Sequence, residues 1–333
     1  MYISEKTLDD LLLQVLKRLL SRNRRIDATR GSTAELTGVM LKIRDPRARL
    51  SRTEGRGLLF SCLGELLWYL AGSNKVRFIK YYLSRYSEES DDGKTIHGAY
   101  GPRLFSARNN NQILNVLDLL RTRTTSRRAV IQLFDAADLA ELHKDIPCTC
   151  TIQVFVRDHR LHMLTSMRSN DAFKGLPHDV FAFTMLQEIL ARSLGVELGE
   201  YKHAVGSLHL YEEDREKARY FVEEGWQSTV LMPPMPFGDP WPSIRRVLKA
   251  ESAIRRGVFD GRNVGLGAYW SDIVHLLEIF RYSQVGGARQ IVRLKQKMSS
   301  HVYDPYIEKK KQTATRKQEQ VVAIQEKLFG RSE

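Results

Sequence analysis

The chain has 333 residues, a net charge of +13 and three cysteines, with 42% hydrophobic and 27% charged residues. This balance fits a globular protein that can bury a core of its own, and three cysteines are too few for a disulfide-stapled scaffold. No run of the sequence approaches the roughly eighteen apolar residues that a membrane-spanning helix needs. The opening Met1-Tyr2-Ile3-Ser4-Glu5-Lys6 lacks an apolar signal core, so a reduced cytoplasm is the expected location. Cys148 and Cys150 form a pair with no second half of a zinc site, so no metal is expected. Positive charge raises nucleic acid as a partner. Arginine is spread along the chain and only Lys309-Lys310-Lys311 forms a run, so a dedicated nucleic-acid function is not expected.

In chain order, Thr7-x-x-Asp10 caps a helix whose apolar face is Leu8, Leu11, Leu12, Val15, Leu16 and Leu19. Residues 22–30 read as a basic loop and 38–43 as a strand. Residues 58–71 form an apolar helix holding one acid, Glu65, and ending at Gly72. The spacing predicts a second helix over 75–86, a polar loop over 87–93 and a further helix over 113–120. From Arg128 the period changes to two, predicting strands over 129–133, 151–156 and 161–167, the last two joined by a short turn. A long helix over 180–194, a strand over 201–210 and a charged helix over 212–223 follow. Residues 288–298 and the tail after Ile307 read as basic or polar helices. Interspersed helices and strands predict a single α+β domain over 1–333, with a polar helical extension at about 308–333.

The chemistry gathers around Pro147-Cys148-Thr149 and Arg168-Ser169-Asn170-Asp171. A cysteine beside fixed positive charge is stabilised as the nucleophilic thiolate. Bidentate arginine suits a phosphate dianion. An acid inside an apolar helix, as Glu65 is, costs free energy unless it is paired or protonated, and such acids are often functional.

These segments resemble the thymidylate synthase family in order and residue type, from about Arg30 to Tyr211. Pro147-Cys148-Thr149 with Gln153 keeps the family's Cys-to-Gln spacing, with Thr149 where the family has histidine. Glu65 lies in Glu65-Leu66-Leu67-Trp68-Tyr69-Leu70-Ala71-Gly72 and Tyr100 in a Tyr-Gly pair. The resemblance implies a mixed sheet packed by helices and a homodimer formed through the sheet face. It implies that Cys148 attacks C6 of a pyrimidine nucleotide, that 5,10-methylenetetrahydrofolate is co-substrate, and that Glu65 and Tyr100 order water and protons. Phosphate would be bound by Arg30, Arg168, Ser169 and the neighbouring subunit's copies of Arg127 and Arg128. His209 and Tyr211 would meet the sugar 3′-hydroxyl, and Asp171 with Glu65 and Tyr86 the folate.

Two departures narrow the expectation. The family's Gly-Leu-Pro-Phe-Asn is Gly175-Leu176-Pro177-His178-Asp179 here. The asparagine amide reads uracil, whereas a carboxyl can accept from N4–H of cytosine and, when protonated, donate to N3. Residues 75–99 contain no tryptophan, where the family carries tryptophans that shield the C5-methylene intermediate. An ungapped count puts Tyr86 and Glu89 there, and a wetter site lets water capture that carbon. Both features resemble the cytidylate 5-hydroxymethylases of phages and of nucleoside-antibiotic pathways such as mildiomycin, with CMP or dCMP as substrate. The alternatives are a divergent thymidylate or uridylate C5 methylase and a nucleic-acid-binding protein on a retired enzyme scaffold.

Overall fold

The computed structural model describes residues 1–28, 31–51, 58–226, 229–261 and 265–329, with side chains as far as residue 320. The chain divides into two compact units, Met1–Pro240 and Trp241–Glu333.

In the first unit the elements run β1 (Tyr2–Glu5), α1 (Leu8–Leu20), β2 (Ile26–Ala28), β3 (Gly31–Ile43), α2 (Leu59–Leu70), α3 (Val76–Ile79), α4 (Tyr100–Phe105), α5 (Gln112–Thr122), β4 (Val130–Gln132), β5 (Thr149–Arg157), β6 (Arg160–Asp171), α6 (Gly175–Ser193), β7 (Glu197–Tyr211) and α7 (Arg215–Glu223). The strands form one mixed sheet in the order β1-β3-β7-β6-β5-β4, with β2 paired to β3. β6 and β7 run parallel, while β5–β6 and β3–β7 are antiparallel. This is the mixed-sheet α+β architecture anticipated from the sequence.

Local chemistry explains the boundaries. Thr7 accepts a hydrogen bond from the Asp10 amide at the start of α1, a cap worth about 1 kcal/mol. The β5–β6 turn places Asp158 and His159 at φ 49° and 55°, a hairpin geometry that matches the strand twist. In α6, 16 of the 19 residues are buried, because the helix lies between β6 and α2 and has no wet face. Its buried Arg192 and Glu188 are both bonded, Glu188 to the guanidinium of buried Arg49 at 2.5 Å and to the Met235 amide at 2.9 Å.

The expected helix over 75–86 is not continuous. α3 stops at Ile79, and a short 3-10 turn follows at Ser84–Ser87. The isolated bridge between Lys75 and Thr95 fixes where α3 begins, and beyond its end the Tyr82 ring packs on Gly64, where a Cβ would meet it at 2.1 Å.

One irregularity crosses the sheet and shapes the site. Buried residues alternate as Leu161, Met163, Thr165, Met167 along β6, then continue as Asn170. In β7 the run Tyr201, His203, Val205 resumes at Leu208, and in β3 the buried run changes phase between Leu36 and Val39. Each strand therefore carries one extra residue at the same level, since Thr37 and Ser169 both pair with Ser207. In β5 the register shifts between Thr149 and Thr151. Gly38 supplies φ +62° at this level, and Gly206 approaches the Arg168 carbonyl so closely that a Cβ would sit 2.8 Å from it. A slip of one residue moves side chains to the other face of a sheet. Here it leaves Arg168 exposed and turns Asn170 inward.

The second unit is helical: α8 (Trp241–Arg256), α9 (Ala268–Gln284), α10 (Ala288–Gln296) and α11 (Asp304–Phe329). α9 packs against each of the other three, burying Trp270, Ile273, Leu277 and Phe280 against residues such as Val247, Ile291 and Ile307.

Candidate active site

Cys148 immediately precedes β5 and is half-buried. The neighbouring strand brings Arg168 to it, with the Arg168 amide bonded to the Cys148 carbonyl at 2.8 Å. The Arg168 guanidinium donates to the Pro147 carbonyl at 2.9 Å and the Ile146 carbonyl at 3.2 Å, and lies 3.6 Å from Cys148 Sγ. A tethered cation at that distance stabilises the thiolate. Cys150 follows on the strand and is a free thiol. At the family's histidine position, Thr149 donates from its amide and hydroxyl to the Tyr100 hydroxyl, at 3.1 and 2.9 Å. Burial, then the nearby charges of Asp179 and Cys148, push the Tyr100 phenol well above its ordinary value, so it stays protonated.

Glu65 comes from the apolar helix α2. Its Oε1 accepts from the Tyr86 hydroxyl at 2.6 Å. Its Oε2 is buried and has no hydrogen-bond partner among the described residues. The Tyr86 ring packs edge-on to Trp68 at 5.4 Å between centroids. An acid with one oxygen bonded and one left over is arranged to meet a ligand group or an ordered water.

Asp179 enters from the first turns of α6. Burial, followed by the charge of Glu65, raises its carboxyl to about 8, against the opposing pull of the Asn170 hydrogen bond and Arg85. At neutral pH it is therefore mostly protonated and presents one donor and one acceptor. Its Oδ2 accepts from Asn170 Nδ2 at 2.7 Å. Asn170 Oδ1 faces His203 Nε2 at 3.1 Å, and His203 Nδ1 meets the Tyr201 hydroxyl at 2.8 Å. Burial lowers the His203 ring to about 3, so it is neutral. With the Asn170 nitrogen on Asp179, the ring carries its proton on Nε2 and accepts from Tyr201 on Nδ1.

Ser169 Oγ lies 3.5 Å from His209 Nδ1, and the His209 and Tyr211 rings meet edge-on at 5.0 Å. Asp171 Oδ1 accepts from the Phe173 and Lys174 amides at 2.8 and 3.1 Å. Arg127 and Arg128 stand exposed before β4, and their guanidinium groups make no hydrogen bond or ion pair among the described residues. Gln153 Nε2 holds the Arg127 carbonyl at 2.9 Å. Arg30 lies outside the described residues.

Sequence reasoning missed Asn170, His203, Tyr201 and Arg85. Strict alternation along β6 points Asn170 away from Asp179, and only the extra residue at Arg168 turns it inward. Arg85 influences Tyr86, Glu65 and Asp171, but its segment reads as part of a continuous helix. A separate cavity of about 460 Å³ is lined by Asp91, Asp92, His97, Arg103 and His143. Those groups already pair with one another or with nearby backbone, as structural groups do.

The site gathers one thiol beside a guanidinium, one neutral carboxyl, and one buried carboxylate oxygen without a partner among the described residues. The thymidylate synthase family profile matches residues 8–231. The chain is 33% identical over 195 residues to the deoxyuridylate hydroxymethyltransferase of Delftia phage PhiW-14, covering 54% of each chain. It is 38% identical over 157 residues to the deoxyuridylate hydroxymethyltransferase of Pseudomonas phage M6, covering 46% of this chain and 45% of that one. The chain spans about half the length of the curated relatives it matches. The crystal structure of thymidylate synthase from T4 phage superposes with a TM-score of 0.59 at 21% identity, covering 71% of this chain and 89% of that one, which shows the shared fold. With two thirds of its length matched by the family profile, the chain belongs to the thymidylate synthase family.

Proposed function

We propose that this protein is a folate-dependent pyrimidine-nucleotide C5 hydroxymethyltransferase with a cytidylate, CMP or dCMP, as substrate. The observation that carries the base assignment is Asp179: a carboxyl held near neutrality at about 8, where the family has an amide. When neutral it accepts from N4–H and donates to N3 of cytosine. When ionised it still accepts from N4–H, whereas it would repel O4 of uracil. A second reading, deoxyuridylate as substrate, is favoured by the names that both phage relatives carry and by the fact that a neutral carboxyl also offers the donor and acceptor that uracil needs.

In this mechanism Cys148, as thiolate beside Arg168, adds to C6 and makes C5 nucleophilic. Asp179 delivers its proton to N3 as charge builds on the ring, so the negative charge passes to its carboxylate, which still accepts from Asn170 Nδ2 and from N4–H. 5,10-Methylenetetrahydrofolate supplies the one-carbon unit when bound, and Asp171, Glu65 and Tyr86 are the residues that would hold it. Once the C5 proton is lost and tetrahydrofolate has departed as the leaving group, Glu65, through its free Oε2, positions water for addition to the new carbon on C5 and takes a proton from it, and the electrons returned to the ring expel Cys148 from C6 as the thiolate. Arg168 and Ser169, with Arg30 and a second subunit's copies of Arg127 and Arg128, bind the phosphate. His209 and Tyr211 bind the sugar. The homodimer through the sheet face belongs to the same proposal.

The test is mass spectrometry of products from methylenetetrahydrofolate with each of CMP, dCMP, UMP and dUMP. A 5-hydroxymethylcytidylate is expected. Hydroxymethylation of dUMP alone establishes the second reading, and dihydrofolate release with a 5-methyl product overturns hydroxymethylation. Cys148→Ala should abolish product of any kind; residual turnover near wild type would overturn the mechanism.

A further inference from the structure

The chain's positive charge is not evenly held. Residues 241–333 contain 18 lysines and arginines against 9 aspartates and glutamates, a net +9 of the whole chain's +13. This helical unit lies beyond residue 231, where the family match ends.

Within it, α9 and α10 are joined by the three residues Val285-Gly286-Gly287. Gly286 adopts φ +76°, and a Cβ on Gly287 would stand 2.7 Å from the Tyr282 ring. The Gly287 amide closes the turn on the Tyr282 carbonyl at 2.9 Å. Ile291, Leu294 and Met298 are buried, fixing the orientation of α10. Its opposite arc carries exposed Arg289, Arg293 and Lys297, flanked by exposed Gln290, Val292 and Gln296. The three cations are spaced i, i+4, i+8 and so stand on one face. Residues 288–298 contain no acid. Lys295, on the inner side, is held by Glu308 at 2.7 Å, whereas Arg289 and Arg293 make no ion pair among the described residues. Like charges at i, i+4 disfavour a helix, a cost that an anionic partner along the stripe would reverse.

We propose that α9 and α10 form a helix-turn-helix that docks α10 into the major groove of duplex DNA. An α-helix is about 10–12 Å across with its side chains and the B-form major groove is about 12 Å wide. The A-form groove of RNA is too narrow for it. Single strands are held by exposed aromatic platforms, and among the described residues of this unit the exposed large apolar side chains are Val258, Val285 and Val292. Arg289, Arg293 and Lys297 meet phosphate or guanine edges, and the glutamines reach adenine.

The test is fluorescence anisotropy of the full chain with a labelled duplex of about 24 base pairs, between about 50 and 200 mM salt. Binding is expected to weaken steeply with salt. The triple variant Arg289→Gln, Arg293→Gln, Lys297→Gln should lose at least about tenfold in affinity and flatten the log–log salt slope by about two to three. A matched triple on α8, Arg245→Gln, Arg246→Gln, Lys249→Gln, should lose clearly less. Should the α10 triple fail to fold by circular dichroism, Arg293→Gln alone is expected to lose about threefold. No duplex binding at the lower salt, equal losses from the two helices, or tighter binding to single-stranded DNA, structured RNA or anionic vesicles each overturns the proposal. Nucleotide turnover should be unchanged in both triples, so the outcome stands apart from the catalytic reading.

Discussion

Two acids of the first unit, Asp138 and Asp179, hold opposite charge states for reasons visible in their neighbours. Burial alone would raise both. Asp138 receives Arg103 Nη1 and Nη2 at 2.9 and 2.6 Å, the Asp135 amide at 2.7 Å and His97 at 2.9 Å, and these hold it below the usual carboxylate range. Asp179 receives a single amide, lies near Glu65, and rises to about 8. Saturated acids organise the fold. The acid left short of donors, near a second acid with a bare oxygen, is the one poised to exchange protons with a ligand.

The most severe disruption of this contrast is Glu65→Gln, which keeps the Tyr86 contact but removes the base. The turnover rate should fall by about 10²–10⁴ with little loss of stability, measured by steady-state kinetics and thermal melts. Asp179→Asn should move the ratio of kcat/KM for cytidylate over uridylate by about a hundredfold or more toward uridylate. An unchanged ratio would refute the base-reading role. Asp138→Asn should act in the reverse sense, costing about 2–4 kcal/mol in denaturant unfolding while folded protein keeps its turnover rate.

The remaining test is the pH dependence. Between about pH 4 and 8 the folded chain retains on Asp179 a proton that the unfolded chain has released, so this group makes stability fall as pH rises, by at most about 1.4 kcal/mol per pH unit. Asp179→Asn should remove that slope. Asp138, lowered in the fold, stabilises fully above its ordinary value of 3.8 and loses that contribution as acid protonates it. Asp138→Asn should therefore flatten only the acid limb. Urea melts across the pH range read both.

Sequence pattern made much of this site legible because its parts are local. Glu65 stands out in an apolar helix, and Cys148, Arg168 and Asp179 sit in short runs whose spacing survives folding. Thr7 and Gly72 marked helix ends through cap chemistry. The misreading of 75–86 arose because the approach of Tyr82 to Gly64 overrides helical periodicity beyond Ile79, and that contact has no local signature. The basic charge looked dispersed until the boundary after Pro240 separated a nearly neutral unit from a strongly positive one. Asn170, His203 and Tyr201 stayed hidden because a period-two reading carries every residue after Arg168 onto the wrong side.

The aligned extra residues of β3, β7, β6 and β5 also bear on assembly. A lone strand can slide by two positions and keep its faces, but here each strand must match its neighbour's irregularity as well as its pattern. Only one alignment of the four satisfies that requirement, so the sheet behaves as a vernier with a single mark. Cys148 meets Arg168, and Asn170 meets Asp179, only after that mark is found. The site should therefore be absent from any intermediate whose strands have paired at other offsets, and exchange protection of the Arg168 and Thr149 amides should appear together with the last folding phase.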